Sequence, residues 1–303
     1  MQKILLFIAS LFYFNFLFSK NEIKSWQGIH ETPLSRLEQQ FAEPPVEFAN
    51  HVIWGWEGKM DKKTICNDLD SIKKKGFRAV IFEAGYKLPF KYLSEEWFKA
   101  IRTGVLEAKK RGMKVWIIDE GKYPSGFAGG KFSQERPDLR MQALVIGDTI
   151  QIKRGEVMTN HKIAPEIISA VAVSTSGAPN RTVAINNGEI SFNAGLDDWK
   201  ILLVKSDFRT AVTRAVNNPN GGKDATNSLC DYLNPVAVQQ FIDWTHKQYK
   251  KYLGKELGTT VLGFRGDEPD YAHLPWTPSI VQTFKDTKGY DPTPYLASFF
   301  TAS

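Results

Sequence analysis

The sequence predicts an α/β fold: about four parallel strands of a (β/α)8, TIM-type barrel, carrying an inserted β-sandwich-like subdomain. Three observations lead there. Four short apolar runs, at residues 51–57, 79–83, 114–120 and 261–268, each end in acid. Helical stretches separate the first three runs, and such alternation implies a parallel sheet with right-handed crossovers. Between the third run and the fourth the text becomes strand-like, with turn signals at short intervals.

Taken in order, Met1-Gln-Lys3 precede an apolar stretch over residues 4–18, followed by Ser19-Lys20. A positive start and about fifteen mostly apolar residues match a secretory signal peptide, here residues 1–19, and are short for a membrane span. The expectation is a secreted or periplasmic protein with no stable membrane span after signal removal. Residues 20–50 read as a polar leader with a weak helical pattern around 33–41. The first part of the barrel covers 51–140. It comprises a strand ending at Glu57, a helix over 63–75, a strand ending at Glu83, a helix capped by Ser94 and running to 111, and a strand ending at Asp119-Glu120. Gly76 and Gly112 close the two helices.

Residues 141–227 form the β-rich insertion, with strand-like runs at 143–146, 149–153, 168–174, 182–185, 190–192 and 199–204. Asn186-Asn187-Gly188 and the Asn, Pro and Gly cluster at 217–222 supply turns. Residues 228–303 resume the barrel: Asn234-Pro235 caps a helix to about 253, which leads into the fourth strand, and a last helix covers 279–288. Four strands are half of a (β/α)8 barrel. The expectation is therefore a truncated barrel with an unpaired edge on its fourth strand.

Composition narrows the function. With 42% hydrophobic and 24% charged residues in 303, the chain is globular and not disordered. The net charge is +6, but the cations fall as Lys73-Lys74-Lys75, Lys109-Lys110-Arg111 and Lys247, Lys250, Lys251. These lie at the ends or outer faces of expected helices, where they face water and complement the helix dipole, which argues against a nucleic-acid partner. The two cysteines, Cys66 and Cys230, form no CxxC, so nothing specifies a disulfide and a structural zinc site would need more ligands.

The acids at the strand ends carry the chemistry. Parallel strands are buried on both faces, and α/β folds place ligands just past the carboxyl ends of their strands. With 33 acids in 303 residues, a position is acidic about one time in nine, so acid at all four ends exceeds random scatter. Glycosidic cleavage needs one carboxylic acid to protonate the leaving oxygen and a second carboxylate as base or nucleophile. Gly266-Asp267-Glu268-Pro269 supplies the catalytic candidates, Asp267 and Glu268, on a turn fixed by proline. Asp119-Glu120 opens a Gly-rich loop through Tyr123, Ser125, Gly126, Gly129 and Gly130, where backbone can approach a ligand closely. Trp54, Trp56, Tyr86, Tyr123, Tyr271 and Trp276 lie near acids in sequence and offer flat faces to sugars. The candidate binding residues are therefore Trp56, Glu57, Glu83, Asp119, Glu120, Tyr123, Ser125 and Trp276. Clustered oxygen ligands also suit calcium or magnesium, so a metal-dependent hydrolase stays open.

The same residues carry a family resemblance. Trp54-Gly-Trp56, Asp68-Leu-Asp70 with Lys75-Gly76, Phe82-Glu83, the Tyr123-Pro-Ser-Gly126 loop, Tyr232-Leu-Asn-Pro235, and Asp267-Glu-Pro269 with Pro275-Trp-Thr-Pro278 resemble glycoside hydrolase family 106, the α-L-rhamnosidases. The resemblance spans about residues 50–300. It implies a (β/α)8 catalytic barrel with β-sandwich additions, inversion by two carboxylates, and a calcium ion near the sugar. The implied partner is a rhamnose-containing glycan of plant polysaccharide. A catalytic role carries over to Glu268 with Asp267 beside it, and a binding role to Glu57, Glu83, Asp119 and Glu120. A carbohydrate-binding fragment lacking the partner acid is the alternative.

Overall fold

The computed structural model describes residues 33–46, 49–214, 223–224, 227–271 and 273–301. The expected signal peptide lies outside them. No helix among the described residues is long and apolar enough to cross a membrane. Residues 1–50 form one unit, in which a helix, α1 (Leu34–Ala42), follows Pro33 as the leader's weak pattern suggested.

The second unit, residues 51–303, opens with β1 (His51–Trp56), α2 (Lys62–Lys74), β2 (Ala79–Ala84), α3 (Glu95–Lys110) and β3 (Lys114–Ile118). Local signals set the helix starts. Asp61 Oδ1 accepts from the Thr64 N–H at 2.8 Å and Ser94 Oγ from the Trp97 N–H at 3.3 Å, each satisfying a donor that the first turn leaves unpaired. A short α4 (Lys131–Glu135) follows the Gly-rich loop.

Then come β4 (Gln142–Ile152), β5 (Val157–Lys162), β6 (Ile167–Ser174), β7 (Arg181–Thr182), β8 (Ile185–Asn186), β9 (Glu189–Asn193), β10 (Trp199–Phe208), β11 (Thr213–Arg214) and β12 (Lys223–Asp224). The helices α5 (Pro235–Trp244) and α6 (His246–Leu253) precede β13 (Val261–Arg265), β14 (Pro275–Trp276) and α7 (Ile280–Lys288). The single helix expected over 235–253 is broken at Thr245, whose φ and ψ are −115° and −86°. Its hydroxyl donates back to the Phe241 carbonyl at 2.6 Å, the local bond by which Ser and Thr compete with the helix ladder.

The four acid-terminated runs form one parallel sheet in the order β1-β2-β3-β13. Each strand lies beside the next in sequence, so all four carboxyl ends share one edge. The apolar faces of α2, α3 and α6 cover this sheet, and Phe82, Trp97, Ile101, Val115 and Tyr249 belong to its core. Gly104 on α3 admits the rings of Phe82 and Trp56, which would stand 2.9 and 3.1 Å from any added Cβ.

The β-rich stretch forms a five-stranded sheet, β14-β4-β10-β6-β7, and a three-stranded one, β5-β9-β8. Ile152, Ala172 and Ile201 of the first share an apolar cluster with Ile190 and Phe192 of the second. The two runs expected at 143–146 and 149–153 are one strand. Gly147 is skipped where Leu203 pairs with Asp148 and Val204 with Ile146, a β-bulge. The outer face of the larger sheet, through Leu144, Leu202 and Val204, packs on Trp276, Leu296 and Ala297. The chain beyond β13 thus covers the β-rich sheet, whereas the sequence reading assigned it to the barrel.

Candidate active site at the strand ends

At the carboxyl edge of the parallel sheet, Asp119 leaves β3 and Asp267 leaves the neighbouring β13. Ser125, from the loop after β3, joins them. Its Oγ donates to Asp119 Oδ1 at 2.7 Å and accepts from the Asp267 N–H at 2.6 Å, while its own N–H donates to the Asp267 carbonyl at 2.9 Å. The Tyr232 hydroxyl donates to the Ser125 carbonyl. Gly126, at φ +93°, passes so close beneath Tyr232 that a Cβ would stand 2.7 Å from the ring. Glycine is needed there for both the backbone angle and the approach.

Asp119 is 9% exposed. Burial pushes its carboxyl above the usual range, the Ser125 hydroxyl pulls it partly back, and the negative charge of Asp267 raises it. An acid held this way keeps its proton to higher pH than a free aspartate.

Glu120 does different work. It is fully buried, and its carboxylate accepts from the N–H groups of Gly121 at 2.7 Å, Gly129 at 2.9 Å and Ala128. Burial pushes it up to about 8 against these donors. It ties the Gly-rich loop closed, so the structure places it as an anchor of the site and not on the cleft surface.

At the other end of the edge, Glu57 Oε1 accepts from the Tyr86 N–H at 3.1 Å, and Glu83 pairs with Lys122 at 3.2 Å. The Lys122 ammonium also lies 4.6 Å from the centre of the Tyr86 ring. Gly85 lets the ends of β1 and β2 meet; a Cβ there would stand 2.2 Å from Glu57 Cγ and 2.5 Å from the Trp56 carbonyl oxygen.

Glu268 is exposed and sits at φ +34°, a left-handed conformation that costs a non-glycine residue strain. With Tyr123 it lines a polar cleft of about 510 Å³. Two expected sugar platforms are elsewhere. Trp56 is 0% exposed and packs on Trp54, Phe82 and Trp97, and Trp276 lies in the core of the β-rich sheet. An aromatic side chain within an apolar strand meets the core first. Tyr271, expected as a sugar-stacking aromatic, lines this cleft, and the site also contains residues that the sequence reading did not select: Lys122, Arg209, Asp270 and His273.

Among the described residues no three or more His, Cys, Asp or Glu side chains gather to hold a metal ion. Asp119 Oδ1 accepts from Ser125, and both oxygens of Glu120 accept from backbone N–H groups. As arranged, Asp119 and Glu120 do not fit a calcium site. Cys66 and Cys230 are both free thiols.

Residues 164–301 match the model of the alpha-L-rhamnosidase family, glycoside hydrolase family 106. The rhamnosidase resemblance is borne out. The matched stretch carries Asp267 and Glu268. A solved rhamnosidase from Novosphingobium sp. PP1Y superposes with a TM-score of 0.57 at 13% identity, covering 89% of this chain and 43% of that one. At that identity the likeness shows the fold, a mixed α/β architecture of rhamnosidase type. A Formosa agariphila protein described as "Putative beta-glucuronidase" is 23% identical over 313 residues, covering 87% of this chain and 26% of the relative. The chain therefore spans about a quarter of the curated relative and under half of the solved rhamnosidase. In these matches the chain is glycoside-hydrolase-like.

Proposed function

We propose that the chain is the carboxylate-bearing part of an exported, rhamnosidase-like glycoside hydrolase. In this reading it cleaves a glycosidic bond of a rhamnose-containing plant glycan with inversion. The single observation that carries it is the Ser125 bridge, which fixes Asp119 and Asp267 at adjacent strand ends, beside a cleft that Glu268 lines. In this reading Asp119 supplies the proton to the leaving oxygen, a role favoured by the burial that raises its carboxyl above the ordinary range. Glu268, open to the cleft, activates water, and Asp267 lies between them in the chain's path. The division of roles is the one that inverting glycosidases require.

The sequential strand order β1-β2-β3-β13 supports reading the sheet as an arc of a (β/α)8 barrel. Export rests on the apolar N-terminal stretch of the sequence.

The test is hydrolysis of an aryl α-L-rhamnoside by the chain and by Glu268→Gln. The variant is expected to keep its fold and lose turnover by at least about a hundred-fold; rates equal to wild type remove Glu268 from the mechanism. A folded wild-type chain that binds rhamnosides without turning them over is a carbohydrate-binding fragment instead.

A further inference from the structure

The carboxyl edge of the parallel sheet carries the acids, and the opposite edge carries the cations. Each helix that crosses back over the sheet ends at the amino edge, where residues 71–78, 107–114 and 250–260 lead into β2, β3 and β13. These three segments hold eleven Lys and Arg and two acids, an excess of nine in a chain whose whole excess is +6. As sequence, the clusters belong to separate helix ends. The strand order β1-β2-β3-β13 sets them side by side.

Burial sharpens the contrast. The two acids, Glu107 and Glu256, are 6% and 4% exposed, and Lys110 and Lys109 pair with them at 2.7 and 2.8 Å. Asp70, just before the first segment, is held by Arg111 at 2.7 Å. Eight of the eleven cations are exposed, among them Lys74, Lys75, Arg78 and Lys255. The segments are also tied to one another: Lys73 Nζ donates to the Arg111 carbonyl at 2.7 Å and Lys114 Nζ to the Thr259 carbonyl at 2.9 Å. Each helix C-terminus carries only about half a negative charge, so three of them offset a small part of this excess. The acids of the carboxyl edge stand a strand length away, about 15 Å. That exceeds the Debye length of about 8 Å at physiological salt, so they leave the amino edge positive.

We propose that this amino edge docks on an anionic phospholipid surface. A flat anionic surface engages all three segments at once, and each exposed cation adds to the attraction. The choice of lipid over another polyanion rests on the export reading, in which the apolar stretch over residues 4–18 brings the chain to a bilayer. The polypeptide also enters β1, parallel to β2, at this same edge. Docked this way, the sheet turns its acidic edge and the Glu268 cleft away from the membrane.

Co-sedimentation of the full chain with vesicles tests this, using phosphatidylcholine alone and phosphatidylcholine with roughly one-third phosphatidylglycerol. The mixed vesicles are expected to bind at least about fifty-fold more tightly, and raised salt to erase the difference. Each cation near such a surface is worth about five-fold. The combined variant Lys74→Gln, Lys75→Gln, Arg78→Gln and Lys255→Gln is therefore expected to bind the mixed vesicles at least about thirty-fold more weakly, with binding to the neutral ones unchanged. A matched variant, Lys153→Gln, Arg154→Gln, Lys162→Gln and Lys200→Gln, removes four exposed cations of the β-rich part and is expected to bind as wild type does. All eight side chains are exposed, so both variants fold, which circular dichroism verifies. Equal binding to the two kinds of vesicle, or equal loss in the two variants, overturns the proposal. Polygalacturonate held more tightly than the mixed vesicles through the same four residues also overturns it, and makes the occupant an acidic polysaccharide. No turnover enters the measurement, so its outcome is independent of the hydrolase reading.

Discussion

Ser125→Ala removes one oxygen from the point where β3 and β13 are joined. That hydroxyl donates to Asp119 at 2.7 Å and accepts from the Asp267 N–H at 2.6 Å, in a residue only 8% exposed. A hydrogen bond to a charged group contributes about 1.5–3 kcal/mol and a neutral one about 1 kcal/mol, so the variant loses roughly 2–4 kcal/mol of folding stability. The loss also has a pH signature. Ser125 favours the ionised form of Asp119, so without it burial raises the Asp119 carboxyl further. A carboxyl raised in the folded state contributes stability that is complete below its unfolded value and is lost as pH rises through its folded value. The deficit of the variant therefore grows from acid toward neutral pH. Urea unfolding followed by tryptophan fluorescence reads both effects. A deficit below about 0.5 kcal/mol, the same at pH 4 and pH 7, would refute the claim that Ser125 holds the two strand ends.

Other perturbations separate structural roles from binding roles. Trp56→Ala empties a fully buried site in the sheet core and is expected to cost about 3–5 kcal/mol, which thermal or urea unfolding will show; sugar selectivity lost without loss of stability would return Trp56 to the cleft. Glu120, raised from its ordinary 4.5 to about 8, makes the folded state less stable as pH climbs between those values, by an upper limit of roughly 5 kcal/mol. Unfolding free energy measured from pH 4.5 to 8 should fall, and Glu120→Gln should flatten the profile; a flat wild-type profile contradicts the assignment. Gly85→Ala forces a Cβ to 2.5 Å from the Trp56 carbonyl oxygen and is expected to cost at least about 1–3 kcal/mol, read by the same unfolding assay.

The parallel sheet was legible because a strand buried on both faces must be apolar throughout. Charge then gathers at or just past the carboxyl end, with Glu83 near the end of β2 and Glu57, Asp119 and Asp267 beyond their strands, which is why these acids could be placed from the sequence. What those acids do there was not. Glu120 and Asp119 are adjacent and chemically alike, yet one is wrapped by backbone N–H groups of its own loop and the other faces a serine and a second carboxylate. Those partners are backbone atoms and tertiary neighbours, which composition does not encode. Trp56 and Trp276 misled because an aromatic side chain suits a core and a sugar equally well, and burial decides between them. The polar strand β5 escaped because its mostly exposed residues leave no hydrophobic alternation to read. Arg209 escaped because its sequence neighbours belong to the β-rich sheet, and only the fold brings it to Glu268.

The measurement that bears most directly on the account is the anomeric form of the product when the folded chain is given an aryl α-L-rhamnoside, followed by proton NMR from the first minutes. Two carboxylates acting on opposite faces of the sugar predict that β-L-rhamnose appears first and then mutarotates. Release of α-L-rhamnose first, or no release from a folded chain, would contradict the assignment of Asp119 and Glu268 as acid and base.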